Sequence, residues 1–143
     1  MINNQKVEEV KKLIKKEQSP KIILAQNDEF NRKILEYGNF DILLSVEKWN
    51  RTNKIRQTDS GLNHIIAKIA KNKLVAIGLD LEEIKNLEPK QKAERLSKII
   101  QNIKICRKSK TKIAVKTNSL EKARWFLSGL GASTQQIKET IVF

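Results

Sequence analysis

Four short stretches of this chain are apolar without a break: Ile22 to Ala25, Ile42 to Leu44, Leu74 to Ile77 and Ile113 to Val115. Successive side chains of a strand point to opposite faces, so a strand with one face in water alternates apolar and polar residues. An unbroken run fits a strand covered on both faces, the condition met in parallel sheets. Between the runs lie segments with helical spacing. Strands alternating with helices read as right-handed βαβ crossovers over a parallel sheet, which places the chain in the α/β class.

Among the helical segments, Leu62, Ile65, Ile66 and Ile69 follow the i, i+3, i+4, i+7 pattern of one buried stripe, with Asp59 or Ser60 able to cap its start. A longer helix follows Pro89, which suits a first helical turn because it lacks an N–H that would go unpaired there. Leu96, Ile99, Ile100, Ile103 and Cys106 form its stripe. Another opens at Ser119 and buries Leu120, Ala123, Phe126 and Leu127, with Gly129 and Gly131 positioned to end it. Ser133 and Gln136 have capping-box spacing for a last short helix. At the N-terminus, Val7, Val10, Leu13 and Ile14 share one helical face, and Phe30 to Tyr37, ending at Gly38, gives a further helix. Thr140 to Phe143 offers a short fifth strand.

A length of 143 residues with 39% hydrophobic content supports one core, so the whole of residues 1–143 is expected to be a single domain. No stretch reaches the roughly 18 consecutive apolar residues of a membrane span, and Met1 to Lys16 is charged where a signal peptide would be apolar. A cytoplasmic protein without a membrane partner is expected. The single cysteine, Cys106, falls on an apolar helical face, where a buried thiol behaves as a small hydrophobe.

Metal-ion catalysis needs several converging ligands, and the chain has one histidine and one cysteine. Its glycines are scattered, and none begins a phosphate-binding loop. Asp28, Glu29, Asp41, Asp80, Glu82 and Glu83 can pair as acid and base, which keeps open a small phosphoesterase or nuclease using Asp28, Asp41 or Asp80 at strand ends. Most of them read better as helix-start or loop carboxylates.

The charge points elsewhere. Twenty-nine Lys and Arg against 16 Asp and Glu leave +13, which implies a partner rich in phosphates. From Lys104 to Arg124 run Lys104, Arg107, Lys108, Lys110, Lys112, Lys116, Lys122 and Arg124, opposed only by Glu121. Cations favour the carbonyls at a helix C-terminus, but that accounts for Arg107 and Lys108 rather than the whole run; phosphate contact accounts for the rest. A second cluster, Lys48, Trp49, Arg51, Lys54 and Arg56, sets an aromatic among cations. There Trp49 either stacks on an unpaired base or folds back over the sheet. His64 precedes Ile65 and Ile66, the usual setting of a structural histidine, and Lys68 is one turn further along.

Three segments carry a family resemblance: Asp41-Ile-Leu-Leu-Ser45; after a basic loop, Asp59-Ser-Gly-Leu-Asn-His64-Ile-Ile-Ala-Lys68; then Asn72-Lys-Leu-Val-Ala-Ile-Gly78. In order and spacing they resemble the central block of archaeal and eukaryotic ribonuclease P protein component 3. The likeness extends back through Ile22 to Gly38, with Gln26-Asn27-Asp28 similar to a strand end of the family, and more weakly forward to the C-terminus. The resemblance implies a TIM-like barrel related to metal-dependent phosphoesterases but lacking their metal site. Because the chain starts at a helix midway through the family's barrel, the barrel is expected to be partial and open. Its edge strand, Ile22 to Ala25 or a neighbour, then needs covering by the N-terminal helix, a second copy or component 2. The resemblance further implies binding to ribonuclease P RNA beside component 2, with precursor tRNA an indirect partner. Chemistry would be done by the RNA and its magnesium, with no cofactor in the protein. It makes Arg51, Arg56, His64 and Lys68 candidates for RNA or partner contact, with Lys110, Lys112 and Lys116 as further backbone contacts; Lys48, Trp49 and Lys108 join them from the charge pattern. Thr117 to Trp125 departs from the family's charged, proline-containing stretch, which weakens carry-over to Arg124.

Overall fold

The structure is a computed structural model that describes residues 1–49 and 58–143. Within these, every apolar run contributes a strand. The order is α1 (Val7–Lys16), β1 (Ile22–Leu24), α2 (Asp28–Tyr37), β2 (Ile42–Leu44), α3 (His64–Asn72), β3 (Ala76–Asp80), α4 (Leu81–Lys85), α5 (Pro89–Ser109), β4 (Ile113–Lys116), α6 (Leu120–Gly129), α7 (Thr134–Lys138) and β5 (Ile141–Val142). The five strands form one sheet in the order β1-β2-β3-β4-β5, and every pair is parallel.

Right-handed crossovers that each advance by one strand put all connecting helices on the same side of a sheet, which is how a TIM barrel is wound. The register confirms this. Ile23, Leu43, Ile77 and Ile113 lie across from one another and join the large core beneath the helices, together with Leu79 and Val115. Ile42, Ala76 and Ala114 point the other way into a small cluster with Ile22 and Phe143. Among the described residues no pairing joins β5 back to β1, so the sheet is an open arc. Its β1 edge is covered from within the chain: Ile2 donates to the Ile22 carbonyl at 2.7 Å and accepts from the Leu24 N–H at 3.0 Å.

Caps fix most helix starts. The side chains of Asn27, Asn63, Asp80 and Ser119 each accept a backbone N–H of the first turn, and Ser133 and Gln136 form the expected capping box. Three expectations need correction. Helix α3 begins at His64 under Asn63, not at Asp59 or Ser60, so Leu62 is buried ahead of the helix while Ile65 turns outward, 63% exposed. Leu120, at the first position of α6, is 43% exposed rather than buried. Strand β3 starts at Ala76 because Leu74 still belongs to the turn that ends α3.

The inner face of the arc has little room. A Cβ on Gly78 would lie 2.6 Å from Ile42 Cγ2 and 3.2 Å from Leu44 Cδ1. Ile42 is β-branched and buried, so it cannot swing aside. Gly78→Ala should therefore cost about 1–3 kcal/mol, the usual range for overpacking. Urea unfolding would show it as a lower midpoint at unchanged slope; an unaltered midpoint would contradict this account.

Candidate nucleic-acid interface

Several cations on the outer helices are matched by carboxylates one turn away: Lys11 with Glu8, Arg32 with Glu36, Lys33 with Glu29, Lys85 with Glu82. The Lys33 pair lowers the Glu29 pKa and raises that of Lys33 through their hydrogen bond. These exposed pairs tie up charge without leaving a field. The seam between α3 and α5 is different. A cleft of about 430 Å³ there is lined by His64, Lys68, Lys71, Asn72, Lys108, Ser109 and Lys110, and no carboxylate lines it among the described residues.

Two helix ends build this cleft. Lys68 and Lys71 are three residues apart on α3 and so project side by side. Lys108 lies in the last turn of α5, and Lys110 caps it with a left-handed backbone, φ 59°. Thr111 locks the two ends together: its buried hydroxyl donates to the Ala67 carbonyl at 2.8 Å and lies 2.7 Å from the Ser109 hydroxyl. Lys112, the next residue, is exposed on the same side. Helix dipoles account for Lys71, Arg107 and Lys108 in last turns but not for Lys68, Lys110 and Lys112. Carboxylates stand nearby at the margins, Glu139 beside Arg107 and Lys112 and Asp41 beside Lys71, but the lining of the cleft itself has none among the described residues, a balance that suits a polyanion.

At the carboxyl end of the sheet the charges are neutralised internally. Glu47 is fully buried and accepts from Arg95 Nε at 3.0 Å, while Arg95 also reaches Glu83 at 3.3 Å and the Ser45 hydroxyl at 3.2 Å. Burial pushes the Glu47 carboxyl above its ordinary range despite Arg95, and its second oxygen has no hydrogen-bond partner among the described residues. Burial pushes Glu83 the same way, but Lys48 at 2.6 Å together with Arg95 outweighs it and holds Glu83 below the usual range. Asp80 caps α4 at the Glu83 N–H, 3.0 Å away, and pairs with Lys116 at 3.4 Å. Asp41 accepts the Lys21 N–H, and Asp28 lies in the first turn of α2. The three strand-end aspartates therefore occupy separate positions with separate structural duties. No cluster of three or more His, Cys, Asp or Glu able to hold a metal occurs among the described residues. Cys106 is buried, which pushes its thiol up to about 12.

Of the residues singled out from the sequence, His64, Lys68, Lys108 and Lys110 converge on the α3–α5 cleft, and Lys112 adjoins it. His64 is exposed there, so it is not a core histidine. Lys48 and Lys116 stand at the carboxyl end of the sheet, each in an ion pair, and Trp49 beside Lys48 is 38% exposed. Arg51 and Arg56 lie outside the described residues, as does Lys54. Lys71 was not anticipated; its i+3 spacing from Lys68 was the available signal. No helix among the described residues is long and apolar enough to cross a membrane.

A sequentially wound parallel sheet, with a lysine-lined cleft where two of its helices end, defines an α/β protein. No protein-family model matches the chain. It is 28% identical over 94 residues to ribonuclease P protein component 3 of Methanocaldococcus jannaschii, an alignment covering 66% of this chain and 38% of that protein. Its fold matches a chain of the cryo-EM structure of archaeal ribonuclease P with mature tRNA at a TM-score of 0.68 and 26% identity, covering 92% of this chain and 57% of that one. The sequence likeness is thus to ribonuclease P protein component 3 and the fold likeness to a chain of archaeal ribonuclease P, and the chain spans about two fifths to three fifths of the proteins it matches.

Replacing Arg95 by Met would leave Glu47 buried without its countercharge, at a cost of about 3–5 kcal/mol near neutral pH. Burial then acts on Glu47 with only a backbone hydrogen bond against it, so its folded pKa rises further above the unfolded value of about 4.3. A raised folded pKa means that stability is retained below the unfolded pKa and lost as pH rises through the folded one. Chemical denaturation from pH 4 to 8 should show the deficit of Arg95→Met growing with pH; a pH-independent deficit would refute the buried-carboxylate explanation.

Proposed function

We propose that the chain is a protein subunit of ribonuclease P, the ribonucleoprotein that removes 5′ leaders from precursor tRNA. It binds the catalytic RNA through the α3–α5 cleft and holds it in an active fold, so that leaders are hydrolysed at low magnesium. The observation that carries this reading is the cleft of Lys68, Lys71, Lys108 and Lys110 without a carboxylate, on a chain related to ribonuclease P protein component 3. Lys112 and His64 extend the contact, Lys48, Trp49 and Lys116 offer further RNA contacts at the carboxyl end of the sheet, and Arg51 and Arg56, outside the described residues, are additional candidates from the sequence. Component 2 is the protein partner and precursor tRNA an indirect one, in the cytoplasm. The chemistry belongs to the RNA and its magnesium ions; the protein contributes cations and no cofactor of its own.

A strand-end nuclease is less well supported, because Asp80 is engaged as a helix cap and ion pair and Asp41 as an acceptor for the Lys21 N–H. The purified chain alone should leave precursor tRNA intact.

Each cation that neutralises a phosphate releases a condensed counterion, so binding weakens with salt in proportion to the contacts made. Changing Lys68, Lys71, Lys108 and Lys110 together to Gln should flatten the log affinity against log salt slope for ribonuclease P RNA by about three to four. Filter binding from 50 to 400 mM salt measures it. An unaltered slope would show that the RNA does not occupy this cleft.

A further inference from the structure

Helices α3 and α5 end in the same way, and neither end uses the expected residue. At α3, the Val75 N–H reaches back to the Ala70 carbonyl at 2.8 Å and the Leu74 N–H to Lys71 at 3.0 Å. At α5, the Thr111 N–H reaches Cys106 at 3.0 Å. This turn requires one left-handed residue, ordinarily glycine. Here the positions are held by Leu74 and Lys110, both at φ 59°. Leu74 is also 88% exposed, so an apolar side chain is kept in an unfavourable backbone conformation and in water at once.

Both residues line one groove of about 750 Å³ at the amino end of the sheet. Its apolar surface includes Ile42, Ala76, Val142 and Phe143, and its cations are Lys71, Lys110 and Lys112. The single carboxylate among its lining residues, Asp41, is held by the Lys21 N–H at 2.6 Å. Lys71 and Lys110 belong to the α3–α5 cleft as well, so cleft and groove are continuous.

We propose that this groove receives an unpaired nucleotide of a structured RNA, with Leu74 as the wedge that parts it from its stacked neighbour. The inference rests on the cleft being an RNA surface and adds what the RNA must present there. Aliphatic side chains inserted between bases unstack them, and doing so costs least where a base is already unpaired. The base then leaves water for the apolar floor while its flanking phosphates stay on Lys71, Lys110 and Lys112. A second copy of the chain fits poorly, since it would bring the same lysines and a net charge of +13 against this rim. The apolar segment of an acidic protein would satisfy the charge. It would leave unexplained why the groove's Lys71 and Lys110 continue into a cleft lined by Lys68 and Lys108, a path suited to a run of phosphates.

The test compares an RNA hairpin carrying one bulged 2-aminopurine with the same hairpin fully paired. The protein should bind the bulged form about tenfold more tightly, the scale of one stacked or sequestered base, and 2-aminopurine fluorescence should rise on binding. Leu74→Asn removes the wedge but suits the left-handed backbone, so it should melt no lower than the parent chain. It should abolish both the bulge preference and the fluorescence rise while leaving the paired hairpin bound as before. Lys68→Gln with Lys108→Gln should weaken both hairpins alike. No loss in that arm would count against the RNA cleft itself, separately from the groove. Equal binding of the two hairpins by the parent chain, or a preference that survives Leu74→Asn, would overturn the proposal and assign the groove to an acidic protein partner.

Discussion

The structure depends on one winding rule: each strand pairs in parallel with the next in sequence, so every connecting helix returns on the same side. Helices that all run antiparallel to the strands then finish together at the amino end of the sheet. That is where α3 and α5 stop, and the Thr111 hydroxyl on the Ala67 carbonyl fixes the distance between them. The rule also leaves the opposite sheet face without helices. Side chains of the strands themselves fill it instead, and Ile42 and Leu44 lean over Gly78 so that no space is left for a Cβ.

The strand core was legible because burial on both faces removes polar residues, and few other structures do so over three or four positions. The capping box at Ser133 and the edge strand Ile141–Val142 were also legible, each from a short local pattern. Helix α3 was less so. Asp59, Ser60 and Asn63 are all competent caps within five residues, and tertiary packing decided for Asn63, which rotated Ile65 into solvent. Leu120 failed for a similar reason: the first residue of a helix sits at its rim, where periodicity says little about depth. Helix α4 left no apolar stripe to read, being only five residues long.

Charge was legible in amount but not in arrangement. The run from Lys104 to Arg124 reads as one positive stretch, yet folding divides it: Lys108, Lys110 and Lys112 go to the amino end of the sheet, and Lys116 crosses to the carboxyl end beside Asp80. A parallel strand produces this division, since the four residues of β4 carry the chain from one end of the sheet to the other. Conversely, Lys71 joins Lys108 and Lys110 although α5 is far from α3 in sequence. Lysines collected from separate segments form the contiguous cleft, while Lys116 is drawn out of the run into an ion pair with Asp80.

The two ends of the sheet therefore do different work. α/β proteins ordinarily place their chemistry at the carboxyl ends of the strands. Here that end holds Glu47, Arg95, Glu83, Lys48, Asp80 and Lys116, and these groups are consumed by one another. Burial disfavours the Glu47 carboxylate, and Arg95 offsets part of that cost, so the pair is held together by mutual need. At the amino end the balance is reversed. The α3–α5 cleft has lysines and no carboxylate among its described lining residues, and two helices end on left-handed residues that are not glycine, at about 1–2 kcal/mol each on the scale of a left-handed residue. Glycine would relieve that strain but would present no side chain to the groove. Leu74 and Lys110 thus keep side chains at the groove at the expense of backbone strain, which is the trade expected of the proposed RNA surface at the end where the helices stop.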